Sequence, residues 1–304
     1  MFTKVLFATS ASPCCDAAAR VAFDMAERYS AELVTFHVLG VPSRGYSQTV
    51  TDVRTGDQVE ADEDYNQWVM EELKITYEKQ LADCPECELA TGTGVPYREV
   101  LRKAREIDAD LIVMGASTTA CEIPESHRRG VAGSTLQAVA KSSRCPVLVV
   151  NRPSASYWGG FSNVVFATDF SKASDSAFQF ALKTAKEMGC TLNLFHAVDI
   201  TGVHAGKSPD QDAIEDQVMA ARKKIREKYV WQMDGFKEYD IDVWEGIPYV
   251  EIVKFAREKQ ADLIIMAHHT HEIDAEKAAF GSTLEQVLLR ATCPVASVNR
   301  PDKI

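Results

Sequence analysis

The sequence runs through one pattern twice, and this repetition limits what the chain can fold into more than any other feature. Phe7-Ala8-Thr9-Ser10 returns as Phe166-Ala167-Thr168-Asp169, and Phe36-His37 as Phe195-His196, both 159 residues on. Val95-Pro96-Tyr97 returns as Ile247-Pro248-Tyr249, and Ala109-Asp110-Leu111-Ile112-Val113-Met114 as Ala261-Asp262-Leu263-Ile264-Ile265-Met266, at an offset of 152. Gly133-Ser134-Thr135-Leu136, Cys145-Pro146-Val147 and Asn151-Arg152-Pro153 return 148 residues on, beginning at Gly281, Cys293 and Asn299. The offset shrinks only twice, so the first copy carries two loop insertions, one after its second strand and one after its fourth. Two repeats of this length mean a duplicated domain and not a solenoid. The copies are expected at 1–153 and 161–304, joined by the linker-like Pro153-Ser154-Ala155-Ser156-Tyr157-Trp158-Gly159-Gly160.

Within each copy, short apolar runs alternate with helical stripes. Val5-Leu6-Phe7-Ala8 and Leu33-Val34-Thr35-Phe36 are β-rich runs suited to burial on both faces of a parallel sheet. Residues 16–29 between them place Ala18, Val21, Met25 and Ala26 on one helical stripe. The matching helix of the second copy is expected to stop at Gly189. A longer helix follows in each copy, then strands at 89–93 and 241–245, a helix after Gly-x-Pro-Tyr, strands at 111–114 and 263–266, a helix after Gly-Ser-Thr, and last strands at 147–150 and 295–298. Strict alternation of strand and helix predicts an α/β fold: two repeated, doubly wound, Rossmann-like parallel-sheet domains with right-handed crossovers.

Charge narrows the partners. Thirty-three Lys plus Arg face 44 Asp plus Glu, a net charge of −11. That surplus repels phosphate backbones and anionic lipid, which argues against nucleic-acid and membrane partners but leaves room for a local pocket holding one small anion. No apolar run approaches the roughly 18 residues of a membrane span. The segment Met1–Ser10 has a faint leader-like look, yet Val164–Asp169 repeats its text in mid-chain, so it reads as a strand in a cytoplasmic protein. Eight cysteines in such a chain are expected to be reduced.

Doubly wound sheets bind ligands beyond the carboxyl ends of their strands, where the strand order reverses. The loops available there begin with Ser10 or Asp169 after the first strand. After the fourth come Gly115-Ala116-Ser117-Thr118 or Ala267-His268-His269-Thr270. The Gly-Ser-Thr step opens the last helix in both copies. Glycine admits close backbone approach, and hydroxyls with unpaired N–H groups at a helix start suit an anion. The plainer alternative is that Ser134 and Ser282 cap their helices.

These residues together resemble the universal stress protein family. The resemblance is carried by Ala167-Thr168-Asp169 after a first strand, Asp262-Leu263-Ile264-Ile265-Met266 closing a fourth, Gly281-Ser282-Thr283 opening the last helix and Cys293-Pro294-Val295 starting the last strand. It covers nearly the whole chain, once per copy, so the chain looks like a tandem member. The resemblance implies five parallel strands in the order 3-2-1-4-5. It implies ATP or a related nucleotide at the reversal, usually without strong catalysis. It also implies an internal pseudo-dimer through the last strands, with homodimerisation as a further association. The family motif Gly-x2-Gly-x9-Gly-Ser/Thr is intact in neither copy. The first has Gly115, Gly133, Ser134 and Thr135, with Thr118 at the second glycine and Ser10 in place of the aspartate. The second keeps Asp169, Gly281, Ser282 and Thr283, with Ala267 and Thr270 at the glycine positions. The second is the better candidate for a nucleotide or other small anionic ligand.

Other groupings carry competing readings. Ser126-His127-Arg128-Arg129, with Lys277 aligned to Arg129, reads as an anion-binding loop or a solvated basic one. His268, His269 and His271, near Glu272 and Asp274, could ligate zinc or copper, or simply line the cleft, and the cleft-lining reading is preferred, so no metal is expected. Cys84-Pro85-Glu86-Cys87 has redox spacing but precedes a third strand, and Cys14-Cys15 reads as a partly buried loop. The repeated His37 and His196 suggest packing or cleft lining. No nucleophile with a positioned base is visible, so no catalytic residue is assigned. The expected function is non-catalytic, ligand-responsive stress regulation. Its rivals are a scaffold with decayed sites, a slow ATPase using Asp169 and the Gly281 helix start, and a histidine metal site.

Overall fold

A computed structural model describes residues 2–42, 49–52, 55–84, 86–116, 133–151, 160–200, 211–268 and 281–299. The linker at 153–159, the basic run Ser126–Arg129, and Thr118, His269, Thr270, His271, Glu272, Asp274 and Lys277 lie outside these residues. The chain divides into two compact units, Phe2–Arg152 and Pro153–Asp302.

In the first unit the elements are β1 (Lys4–Thr9), α1 (Asp16–Tyr29), β2 (Glu32–Val38), β3 (Gly40–Pro42), β4 (Thr49–Asp52), β5 (Gln58–Glu60), α2 (Glu63–Thr76), α3 (Glu78–Asp83), β6 (Glu88–Gly92), α4 (Pro96–Glu106), β7 (Leu111–Gly115), α5 (Ser134–Ser142) and β8 (Val147–Val150). Its main sheet is parallel, with order β6-β2-β1-β7-β8. In the second unit they are β9 (Asn163–Ala167), α6 (Lys172–Met188), β10 (Thr191–Asp199), α7 (Gln211–Lys228), β11 (Tyr239–Gly246), α8 (Pro248–Glu258), β12 (Leu263–Ala267), α9 (Ser282–Arg290) and β13 (Val295–Val298). Their order, β11-β10-β9-β12-β13, is again parallel throughout. Numbered within each unit, both sheets read 3-2-1-4-5, so two doubly wound α/β folds follow from the two copies. Among the described residues no helix is long and apolar enough to cross a membrane.

The first strand is the spine of each core. Val5, Leu6 and Phe7 of β1, and Val164, Val165 and Phe166 of β9, are completely buried because helices cover both faces of the sheet. α1 turns Ala18, Ala22 and Met25 onto it, and α6 presents Ala177, Phe178, Ala181 and Ala185. α6 stops at Gly189, whose φ of 68° closes the helix without the Cβ clash that a left-handed residue incurs. The first copy ends α1 at Ser30 in the same conformation, φ 50°, at a cost of about 1 kcal/mol.

The repeated Ala-Asp-Leu-Ile text has a structural cause. Asp110 Oδ2 accepts from the Thr3 and Lys4 amides at 2.7 and 3.2 Å, and Asp262 Oδ2 from the Ser162 and Asn163 amides at 2.7 and 2.9 Å. Each aspartate thus pins the start of its unit's first strand to the start of its fourth.

Three expectations change. The insertion after the second strand is not a plain loop: β3, β4 and β5 form a small antiparallel sheet in which Val50 is fully buried. The long helix of the first copy is broken at Tyr77 into α2 and α3, because the ring at the junction is pulled inward against Phe7 and Phe23, centroids 5.8 and 6.2 Å away. The cysteines are not uniformly reduced. Cys84 and Cys87 form a disulfide, their Cα atoms 5.5 Å apart across a short turn, and Cys14 is also disulfide-bonded. Cys15, Cys145, Cys190 and Cys293 are buried thiols outside any disulfide.

Candidate functional site

Strand order reverses between β1 and β7, and between β9 and β12, and each reversal opens a cleft at the carboxyl ends of the strands. The same local device shapes both. A tyrosine just past the second helix of each unit, Tyr77 after α2 or Tyr229 after α7, is fully buried, and its hydroxyl meets Thr9 Oγ1 at 2.6 Å or Thr168 Oγ1 at 2.8 Å. That threonine oxygen in turn accepts the backbone N–H two residues on, from Ala11 or Phe170, at 2.9 Å in each case. Ala11 and Phe170 are left-handed, φ 55° and 65°, a conformation that non-glycine residues keep only where the surroundings impose it. The threonine carbonyl accepts from a second-strand histidine, His37 Nδ1 at 2.9 Å or His196 Nδ1 at 2.7 Å. Residue 10 or 169 is therefore presented on a turn held from three sides. In the second unit Lys228 adds a fourth hold, donating to the Phe170 carbonyl at 2.9 Å while pairing with Asp175 at 2.8 Å.

The tyrosines and the chain of hydrogen bonds behind the turn were not read from the sequence. Tyr77 and Tyr229 stand 152 residues apart, so the repeat itself held the signal. Burial raises the pKa of both phenols, partly opposed by their threonine hydrogen bonds.

In the second cleft, Asp169, Ala267, His268, Gly281, Ser282 and Thr283 line one cavity of about 410 Å³. Asp169 Oδ1 accepts from Ser174 Oγ at 2.6 Å and from the Ser171 amide at 3.0 Å, leaving Oδ2 without a partner among the described residues. Gly281 precedes α9, and its amide donates to the His268 carbonyl at 3.3 Å, tying the helix start to the end of β12. The capping reading of Ser134 and Ser282 fails. Both lie inside the first turn, the cap positions are Gly133 and Gly281, and neither helix has a side-chain cap. Backbone N–H groups at both starts are thus free of side-chain competition, and the helix dipole favours negative charge there.

Gly281 itself is informative. Its φ of −58° and ψ of 140° suit any residue, and a Cβ added there would meet only the His268 carbonyl oxygen, at 3.9 Å, among the described residues. Nothing in the described fold requires glycine at this point. Gly115 differs: a Cβ there would lie 3.1 Å from the Cys14 carbonyl oxygen and 3.6 Å from Cys15 Sγ, so the turn after β1 occupies the space its glycine leaves.

Ser10, Gly115, Gly133, Ser134 and Thr135 line the first cleft, of about 130 Å³. Cys15 stands where the second unit has Ser174, and its Sγ lies 3.3 Å from Ser10 Oγ. A serine–cysteine pair therefore replaces an aspartate–serine pair. The second cleft falls within the size range of small-molecule sites and the first falls below it.

His268 is fully buried with Nδ1 3.3 Å from Ser297 Oγ. Among the described residues no group of three or more His, Cys, Asp or Glu side chains is placed to hold a metal ion.

Comparison with known proteins matches both units. A family model described as the universal stress protein family fits residues 1–151 and 160–299. The universal stress protein MJ0531 of Methanocaldococcus jannaschii is 32% identical over 148 residues, 47% of this chain and 85% of that protein. MJ0577 of the same organism, also a universal stress protein, is 26% identical over 159 residues, 46% of this chain and 96% of that protein. Among solved structures, a universal stress protein from Archaeoglobus fulgidus shares the fold with a TM-score of 0.64 at 19% identity, covering 99% of this chain and 97% of that one.

Proposed function

The chain belongs to the universal stress protein family, once in each half, and on that premise we propose that it is a non-catalytic, ligand-responsive stress regulator. Its second cleft takes a nucleotide of the ATP type, or a related small anion. The observation that carries this reading is the start of α9: a glycine that the described fold does not need, an uncapped first turn, and a 410 Å³ cavity in front of it with one Asp169 oxygen unengaged. Ser282 and Thr283 supply hydroxyls beside that turn. Ala267 stands where the family motif has glycine and narrows the approach.

The first cleft supports a different role. With 130 Å³, Cys14 packed over Gly115 and Ser10 in place of a carboxylate, it fits a decayed site that serves the protein through its surface. The two-unit division follows from this: a ligand-reading second half joined to a scaffolding first half. Turnover is not part of this reading.

The test is mass spectrometry of small molecules released from the purified full chain, with thermal unfolding in the presence and absence of ATP. A bound nucleotide, or stabilisation growing with ATP to about 2.7 kcal/mol at a hundredfold excess over Kd, is expected. No released ligand and no shift would leave the scaffold reading for both halves. Phosphate release that survives repurification and disappears in Asp169→Ala would replace the non-catalytic reading with an ATPase.

A further inference from the structure

The second cleft contains a hydrogen-bond acceptor that the fold itself does not use. His196 lies on β10 and lines the cavity. Its Nδ1 sits 2.7 Å from the Thr168 carbonyl oxygen, which can only accept, so Nδ1 carries the proton and Nε2 is left with a lone pair. No described residue makes a hydrogen bond to Nε2, and the ring packs against Phe170, centroids 4.5 Å apart. Burial holds the imidazole below its usual value of 6.5, opposed by the Thr168 bond and by Asp169 and assisted by Lys224, so the acceptor form is present at neutral pH.

Position gives this acceptor a task. The α9 start is tethered to the end of β12, and β12, β9 and β10 are successive strands of the sheet. Two strand spacings of about 4.8 Å separate the phosphate end from the His196 wall, which is the reach of a nucleotide from its phosphates across the ribose to the base. Ala197, Val198 and Ile252 add apolar surface to that wall, suited to the face of a base, beside the polar Asp199 and Gln217.

Resting on the nucleotide reading above, we propose that His196 determines base specificity in the second cleft, its Nε2 accepting a hydrogen bond from the exocyclic amine of a bound nucleobase. The ligand class is then an amino-bearing nucleotide such as a 6-aminopurine.

The experiment is calorimetric titration of the full chain with ATP and with purine riboside 5′-triphosphate, which is ATP without the amine. Wild type is expected to prefer ATP by about fivefold, the yield of one neutral hydrogen bond. His196→Asn keeps an amide nitrogen to donate to the Thr168 carbonyl but deletes the acceptor, and its preference should fall to about one. His196→Gln, which restores an acceptor near the Nε2 position, should recover part of it. A purely structural role would weaken both ligands alike and leave the ratio untouched. A wild-type ratio near one, or a preference that persists in His196→Asn, overturns the assignment while leaving the nucleotide site standing. Failure of both triphosphates to bind wild type overturns the nucleotide reading, and this inference with it.

Discussion

Ser174 donates its hydroxyl to Asp169 Oδ1 at 2.6 Å, and the same two positions in the first unit hold Cys15 and Ser10, 3.3 Å apart. The pair has changed together: one unit keeps an oriented carboxylate at its cleft, and the other has none. Orientation of Asp169 by Ser174 and by the Ser171 amide turns one carboxylate oxygen inward and leaves the other for a ligand. Asp169→Ala is therefore expected to weaken nucleotide binding by at least about tenfold, some 1.4 kcal/mol, when read by calorimetry. Ser10→Ala should leave that affinity unchanged. Equal affinity in wild type and Asp169→Ala would remove the aspartate from the site.

Gly281→Val separates ligand binding from folding. The backbone there is ordinary extended geometry and a Cβ has room among the described residues. The unliganded melting temperature should thus change little, since replacing glycine restricts the unfolded chain by about 0.4–1 kcal/mol while valine is a poorer N-cap than glycine by a similar amount. Nucleotide binding should be lost, because a branched side chain fills the approach to the α9 amides. A large fall in melting temperature would mean that the glycine serves the fold, and retained affinity would put the phosphates elsewhere.

The paired tyrosines make stability depend on alkaline pH. Burial raises the folded-state pKa of Tyr77 and Tyr229 above the usual 10.0, so below pH 10 both states hold the proton and the tyrosines add no pH dependence. Above pH 10 the unfolded chain loses these protons while the folded one keeps them, so stability falls, by up to about 1.4 kcal/mol per pH unit for each phenol. Denaturant unfolding between pH 9 and 11.5 should show this slope, and it should flatten in the Tyr77→Phe, Tyr229→Phe double variant. An unchanged slope in that variant would assign the pH dependence to other groups. Each single variant also loses a buried hydrogen bond to threonine, worth about 1 kcal/mol, or about 2–4 °C for units of this size.

The buried thiols are expected to be silent in the native protein. Cys190 donates to the Phe161 carbonyl at 2.7 Å, and burial, assisted by Asp262, pushes its pKa up to about 11. Burial likewise raises Cys293 to about 12. Alkylation at pH 8, with the disulfides left intact, should label Cys15, Cys145, Cys190 and Cys293 only after denaturation, as peptide mass mapping would show. Labelling of Cys190 or Cys293 in the folded chain would contradict their burial.

Much of the architecture was legible in the residues because it is local and written twice. α1 spans Asp16–Tyr29, the segment its apolar stripe marked out, and Gly189 ends α6 where a left-handed residue is needed. The last strands, Val147–Val150 and Val295–Val298, coincide with the two apolar runs read there. The residues Gly-Ser-Thr pointed to a helix start but not to what the start lacks. Whether Ser282 caps α9 depends on one residue of register, and the helix begins one position too early for it. Gly115 carries the same letter as a phosphate-approach glycine, yet a neighbouring turn fills the space beside it.

Duplication, the alternation of strand and helix and the stop of α6 at Gly189 were determined by the sequence alone, since periodicity and backbone preference act over a few residues. The candidate site was decided by tertiary structure. Tyr229 reaches Thr168 from 61 residues away, and His196 reaches it from 28. Only the parallel crossovers, which bring the ends of β9, β10 and β12 together, convert those separations into contacts of about 3 Å. They leave one cleft open to a ligand while the Cys14–Cys15 turn occupies part of the other.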